Sequence, residues 1–256
     1  MIGTTRADRD TGGESTVTRS AIDRRTLLAA TLGVAGVAGC TGELPVGGGG
    51  STPSCEEMVV EAPDGSTHCV VPVERDQSIT EYYGYDTETR NSAALADGFE
   101  AVDATVSFVY RNASTGDRSL VVVHDSPDGG SGGTVAMTFE GVGGTQWLVK
   151  DDPEPRSSSE VYESPQEASD GSISTIWGWS GSSSLTDGGA IGPLGDSFDV
   201  TYTHHQEATV AGTTASREGI ERLLFLDGAD PGDPIQLASF DGDDAGDATV
   251  GLYRTD

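Results

Sequence analysis

The fold reading turns on Ala104-Thr105-Val106-Ser107-Phe108-Val109-Tyr110 and on Leu120-Val121-Val122-Val123-His124 after a polar turn. In the first stretch Val106, Phe108 and Tyr110 alternate with other residues, a period of two that suits a strand with one face in a core. The second stretch is almost wholly apolar and is expected to pair with the first as a hairpin. Further along, Thr134–Glu140 alternates through Val135, Met137 and Phe139. Gly143-Gly144 then turns the chain into Gln146–Lys150, with Trp147 and Val149 expected to point inward. Val70–Val73, after a turn at Pro63-Asp64-Gly65, is a candidate strand on the N-terminal side. Later candidates are Ser172–Trp179, Ser197–His204, Ile220–Asp227, Ile235–Phe240 and Thr249–Tyr253.

One short helix is expected at Ser78-Ile79-Thr80-Glu81, which has the spacing of a capping box. A second over residues 217–224 is the alternative to a buried strand at Leu223–Leu226. Short alternating segments broken by Gly, Asp, Ser and Pro predict an all-β fold. The expectation is a single antiparallel β-sandwich over residues 55–256, with at most one or two short helices. The stretch from Asp151 to Asp170 holds Pro153, Pro155, Ser157-Ser158-Ser159 and Pro165, and reads as a long rim loop. Two smaller β units divided there are the alternative.

The chain has 256 residues with 14 basic and 42 acidic side chains, a net charge of −28, and Lys150 is its single lysine. Phosphate recognition needs clustered Lys and Arg, so nucleic-acid binding is excluded. Charge-driven docking on anionic lipid is disfavoured for the same reason. A hydrophobic content of 35% is low yet sufficient for a core.

Arg24-Arg25 precede an uncharged run from Thr26 to Gly39, which ends Val37-Ala38-Gly39-Cys40. As a helix the run would span about 21 Å, short of a hydrocarbon core of about 30 Å. A weakly apolar run after basic residues is the pattern of a signal peptide, and a paired arginine before it marks twin-arginine export. Residues Asp23 to Cys40 resemble the leaders of haloarchaeal twin-arginine lipoproteins. The resemblance implies that Arg24 and Arg25 are the export signal and that Cys40 becomes the lipidated mature N-terminus. It also implies a lipid-anchored position on the extracytoplasmic face of the cell membrane. A cleavable signal with an incidental cysteine is the alternative, and a cytoplasmic protein with a chance apolar run is a remoter one.

The expected organisation is a signal peptide over 1–39, the lipidated cysteine with a Gly-rich linker over 40–54, and the β domain over 55–256. The linker carries Gly47-Gly48-Gly49-Gly50-Ser51-Thr52-Pro53, and fourteen flexible residues reach about 20 Å. Cleavage before Cys40 takes away five of the 14 basic and four of the 42 acidic residues, leaving −29. Such a charge repels itself at low salt, but molar salt shortens the Debye length to about 3 Å. The composition therefore reads as halophile adaptation, with a surface for calcium or for a basic partner as the alternative. Cys55 and Cys69 remain as an even pair in an exported chain and are expected to form a disulfide. Two free thiols, or a metal site with His68, are the alternatives.

The segments Trp147–Pro153, Trp177-Gly178-Trp179, Thr186–Ala190 and Phe198-Asp199-Val200 resemble β-rich parts of secreted haloarchaeal proteins of unassigned function. That resemblance implies β structure and carries over no catalytic residue.

Candidate chemistry is sparse. Asn112-Ala113-Ser114 is a glycosylation sequon on the turn after the first strand. Asp241–Asp247, Asp227–Asp233 and Asp125–Asp128 are acidic Gly-rich loops that read as solvated turns ahead of calcium sites. His204-His205 ends a strand, where neighbours point to opposite faces and cannot easily chelate one metal. Pairing of these with His124 is conceivable, but edge or surface histidines are the expectation. Trp179-Ser180-Gly181 lacks the strand-to-helix setting of a nucleophile elbow, and Gly129–Gly133 is followed by no helix that would cradle phosphate. Trp177 and Trp179 fall on one strand face, where they are either core or an aromatic platform for a sugar ring. No catalytic residue, metal or cofactor is nominated. The expected role is binding or structural, towards an envelope glycan or surface protein, with a secreted hydrolase as the competing class.

Overall fold

Residues 104–112 and 118–124 form the expected hairpin, in register from Thr105 opposite His124 to Arg111 opposite Arg118. A computed structural model describes residues 58–84, 95–126, 129–151, 161–163, 171–180, 186–240 and 246–254. All lie in one compact unit, Ser51–Asp256. In chain order the elements are β1 (Met58–Glu61), β2 (Thr67–Val70), β3 (Val73–Arg75), α1 (Ile79–Tyr82), β4 (Ala104–Asn112), β5 (Arg118–His124), β6 (Gly132–Glu140), β7 (Gln146–Lys150) and β8 (Val161–Tyr162). They continue with β9 (Ile173–Ser180), β10 (Asp187–Leu194), β11 (Asp199–His205), β12 (Glu207–Val210), β13 (Thr213–Ser216), β14 (Arg222–Phe225), β15 (Ile235–Ser239) and β16 (Ala248–Tyr253).

The fold is an all-β sandwich. One seven-stranded sheet has the order β2-β1-β16-β11-β6-β9-β8. The other runs β15-β14-β4-β5-β10-β7, with β3 also on β4. Each sheet takes strands from both sides of residues 151–170, so that stretch does not divide the body. Between the sheets, Val109, Leu120 and Phe225 of the second meet Met137, Trp177 and Tyr202 of the first. Burying these aliphatic and aromatic side chains is the main driving force that joins the sheets.

The outer face of the second sheet is also covered. Tyr82 and Tyr83, with Leu95, pack on Val106, Phe108, Tyr110, Val121 and Val123. Every residue of β5 is buried, because a strand covered on both faces is apolar in both alternating sets. The tyrosines are delivered by α1, whose four residues could not hold a helix alone. Its start is a complete capping box: Glu81 N–H donates to Ser78 Oγ at 3.2 Å, and Ser78 N–H to the Glu81 carboxylate at 2.9 Å.

Three features depart from the expectation. The pairing is not wholly antiparallel, since β3 and β14 both run parallel to β4 and lie end to end along one edge of it. Val149 and Trp147 do not share a face: the β7–β10 ladder steps from Ala190 opposite Val149 to Ile191 opposite Trp147. The extra residue, Leu148, is a bulge, and it turns Trp147 to the inter-sheet core and Val149 to the outer one. The strands β1, β8, β10, β12 and β13 lie outside the candidate segments, being short, Gly-rich or polar. The candidate Val70–Val73 is corrected: it straddles the break between β2 and β3 and shares one residue with each. The β12–β13 hairpin lies over the first sheet, with Val210 and Ala215 on Ala136 and Ile176.

Candidate functional site

The alternation of β11 sets Val200, Tyr202 and His204 inward and His205 outward. Outside, His205 pairs with Asp247 through Nδ1 at 2.9 Å and lies 2.9 Å from Thr138 Oγ1 through Nε2. Inside, His204 meets His124, which ends the inward set of β5. Their ring centroids are 6.1 Å apart and nearly perpendicular. The expectation of edge or surface histidines is thus corrected for this pair, since both are 0% exposed. The reason is position: each continues the core-facing set of its own strand, and the two strands belong to opposite sheets.

Aromatic side chains enclose the pair. Trp179 stacks on the His124 ring at 5.3 Å and 11°, and Trp177 lies 4.8 Å from it. Phe240 sits 6.2 Å from His204, with the Arg217 guanidinium 3.7 Å over the Phe240 ring. Below, Ser107 Oγ donates to the Leu224 carbonyl at 3.2 Å and so accepts from the Tyr202 hydroxyl at 2.7 Å, tying one sheet to the other. His124 Nδ1 lies 2.8 Å from Thr105 Oγ1. His124 Nε2 and both ring nitrogens of His204 have no hydrogen-bond partner among the described residues. Burial pushes the His124 imidazole down to about 3. The same burial, with His124, Arg217 and His205 adding to it, holds His204 well below the ordinary histidine value. Both rings are neutral at neutral pH.

A hydroxyl 2.8 Å from an imidazole is the spacing of a nucleophile and its base. Thr105 and His124 are both 0% exposed, however, so no substrate carbonyl can reach them. The contact positions a ring; it does not activate an attacking oxygen.

Of the two readings of the tryptophans, core holds and the aromatic platform is overturned. Trp177 and Trp179 do share a face, but it is the inner one, and they are 0% and 9% exposed. The Trp177 N–H donates to the Tyr162 hydroxyl at 2.8 Å and the Gly188 carbonyl at 2.9 Å. That of Trp179 donates to the Asp125 carboxylate at 2.9 Å. A sugar ring has no access to either indole.

The remaining candidates are dispersed. Asn112 ends β4, where its Oδ1 accepts from the N–H of Ser114 and of Thr115 and its Nδ2 donates to the Gln77 carbonyl. Cys69 sits on β2 with an exposed side chain. Cys55, Cys40, Arg24 and Arg25 lie outside the described residues, as do residues 127–128 and 241–245 of the acidic loops. Asp125 is buried and structural, and Asp227 caps its own turn by accepting from Val71 and Ala229 N–H groups. Among the described residues no three His, Cys, Asp or Glu side chains gather as metal ligands, and no helix is long and apolar enough to cross a membrane. The outward face of the first sheet carries a row of hydroxyls at one level, Thr249, Thr203, Thr138 and Ser174, on four successive strands. Thr203 and Thr249 are 3.0 Å apart, as are Thr138 and Ser174. No family model, curated protein or solved structure matches this chain.

The histidine pair was only partly readable beforehand. Period-two counting places His204 with Tyr202 and His124 with Val122, both inward. Nothing local says that β5 and β11 end at the same level of opposite sheets.

Proposed function

We propose that this protein is exported through its twin-arginine leader and held on the outer face of the cell membrane by a lipid on Cys40. There it has a structural or binding role in the envelope, towards a glycan or another surface protein. The observation that carries this reading is the burial of two tryptophans and of one histidine pair. The competing class, a secreted hydrolase, would have to use the outward His205, which lies in reach of Thr138 and Asp247. Trp177, Trp179, His124, His204 and Thr105 are packed between two sheets, where they serve cohesion and register and cannot meet a substrate. The disulfide between Cys55 and Cys69 belongs to the same reading, since it would join the tethered end of the chain to β2 at the sheet edge.

Replacing Cys40 by Ser tests the anchor. The wild-type chain is expected in the membrane fraction with an acylated N-terminal cysteine by mass spectrometry, and the variant in the medium. Membrane retention of the variant would overturn the anchor. Recovery of the full-length chain inside the cell with its leader attached would overturn export as well.

A further inference from the structure

We propose that His124 and His204 form an acid-sensitive lock between the two sheets: the sandwich is closed with both rings neutral, and proton uptake by either ring parts the sheets at this end. The geometry requires both partners. One ring is on β5 and the other on β11, in different sheets, and their centroids are 6.1 Å apart with no exposed surface.

A charged ring here would find no carboxylate bonded to it among the described residues. On the His124 side stand the Thr105 hydroxyl and two buried carboxylates, both already engaged. Asp125 accepts from the Trp179 indole and Asp103 N–H, and Asp187, opposite His124 on β10, accepts from Gly178 N–H and Gly188 N–H. Behind His204 on β11 is His205, which faces the other way and is paired with Asp247. Asp247 also accepts from Gln206 N–H. The segment after β13 supplies Arg217, a second positive charge, stacked on Phe240. β9 offers only Trp177, Trp179 and Thr175, and β16 only Ala248. A buried charge without a partner is strongly disfavoured, so the closed state rejects the proton.

Linkage then fixes the direction. An opened histidine takes up a proton near pH 6.5, whereas the closed rings stay neutral far below that. The stabilisation is fully present above pH 6.5 and declines as the pH falls. Each ring lowers the closed-to-open ratio about tenfold per pH unit, and the two together about a hundredfold. Carboxylates act lower on the scale. For Asp247, burial works upward, but the Gln206 N–H and His205 hold its carboxyl below the ordinary value, so its contribution fades only below about pH 4.

The test is urea unfolding of the full chain in molar salt between pH 8 and 4.5, for the wild type and for His204→Phe. Phenylalanine keeps the ring and removes two nitrogens that bond nothing described. The wild-type folding constant should fall about a hundredfold per unit below pH 6, and that of the variant about tenfold. Equal slopes would overturn the lock. Should the variant fail to fold, the ring-proton resonances of the wild type decide. His124 and His204 should not titrate before the fold is lost, and native-state midpoints between pH 6 and 7 for both would overturn the proposal.

Discussion

Gly188 stands where a Cβ would come within 2.1 Å of the Val122 carbonyl oxygen and 2.9 Å of the Tyr83 hydroxyl, at a φ of +149°. Gly188→Ala should therefore destabilise the protein by about 1–3 kcal/mol, seen as a lower urea midpoint at unchanged slope. An unaffected midpoint would mean that the close approach is not required. The carbonyl of the same residue receives the Trp177 indole N–H, so Trp177→Ala removes both packing and a donor to a buried carbonyl. About 3–5 kcal/mol is expected by the same measurement. These two residues also show where the sequence misleads. Asp187-Gly188-Gly189 has the composition of a turn, yet it opens β10, because glycine is needed for the approach of a neighbouring strand rather than for a reversal. The Trp177-Gly178-Trp179 pattern tells that both indoles share a face and is silent on which face, since that depends on strands distant in the chain.

Among the elements, the β4–β5 hairpin was legible from its alternation and its apolar run except at the turn, where the polar Arg111, Asn112, Arg118 and Ser119 extend the strands beyond the apolar pattern. The helix α1 was legible from its cap alone. Replacing Ser78 by Ala removes the acceptor of Glu81 N–H and should cost about 1 kcal/mol, read as a lower thermal midpoint. The same change should raise the exchange rate of the Tyr82 and Tyr83 amides, since they donate to Ser78 and Ile79 carbonyls in that turn. Protection left unaltered would show that the two tyrosines hold the turn without its cap. The β12–β13 hairpin escaped notice because only one side chain of each strand is deeply buried, Val210 and Ala215. The bulge at Leu148 escaped because an extra residue leaves no mark in the composition.

In the whole molecule, charge is the dominant feature legible from composition. Arg75, Arg111 and Arg118 are each paired with a carboxylate: Asp97 at 2.6 Å, Glu74 at 2.7 Å and Asp196 at 3.5 Å. The first two pairs are solvent-exposed and contribute little, the third joins a buried Arg118 to a fully exposed Asp196, and together they leave the large acidic excess unbalanced. Dilution from molar salt to about 0.1 M lengthens the Debye length from about 3 to about 10 Å. The thermal midpoint should fall accordingly, and a midpoint independent of salt would contradict tuning to brine. What composition does not reveal is how the ends meet. The last strand, β16, lies between β1 and β11, with Tyr253 opposite Val59. A growing polypeptide cannot complete that sheet until Ala248–Tyr253 have been synthesised, so β1 and β2 wait for a strand almost two hundred residues further along. Deleting Gly251, Leu252 and Tyr253 would strip β1 of every partner it has in β16 and leave β11 held there by Ala248, Thr249 and Val250 alone.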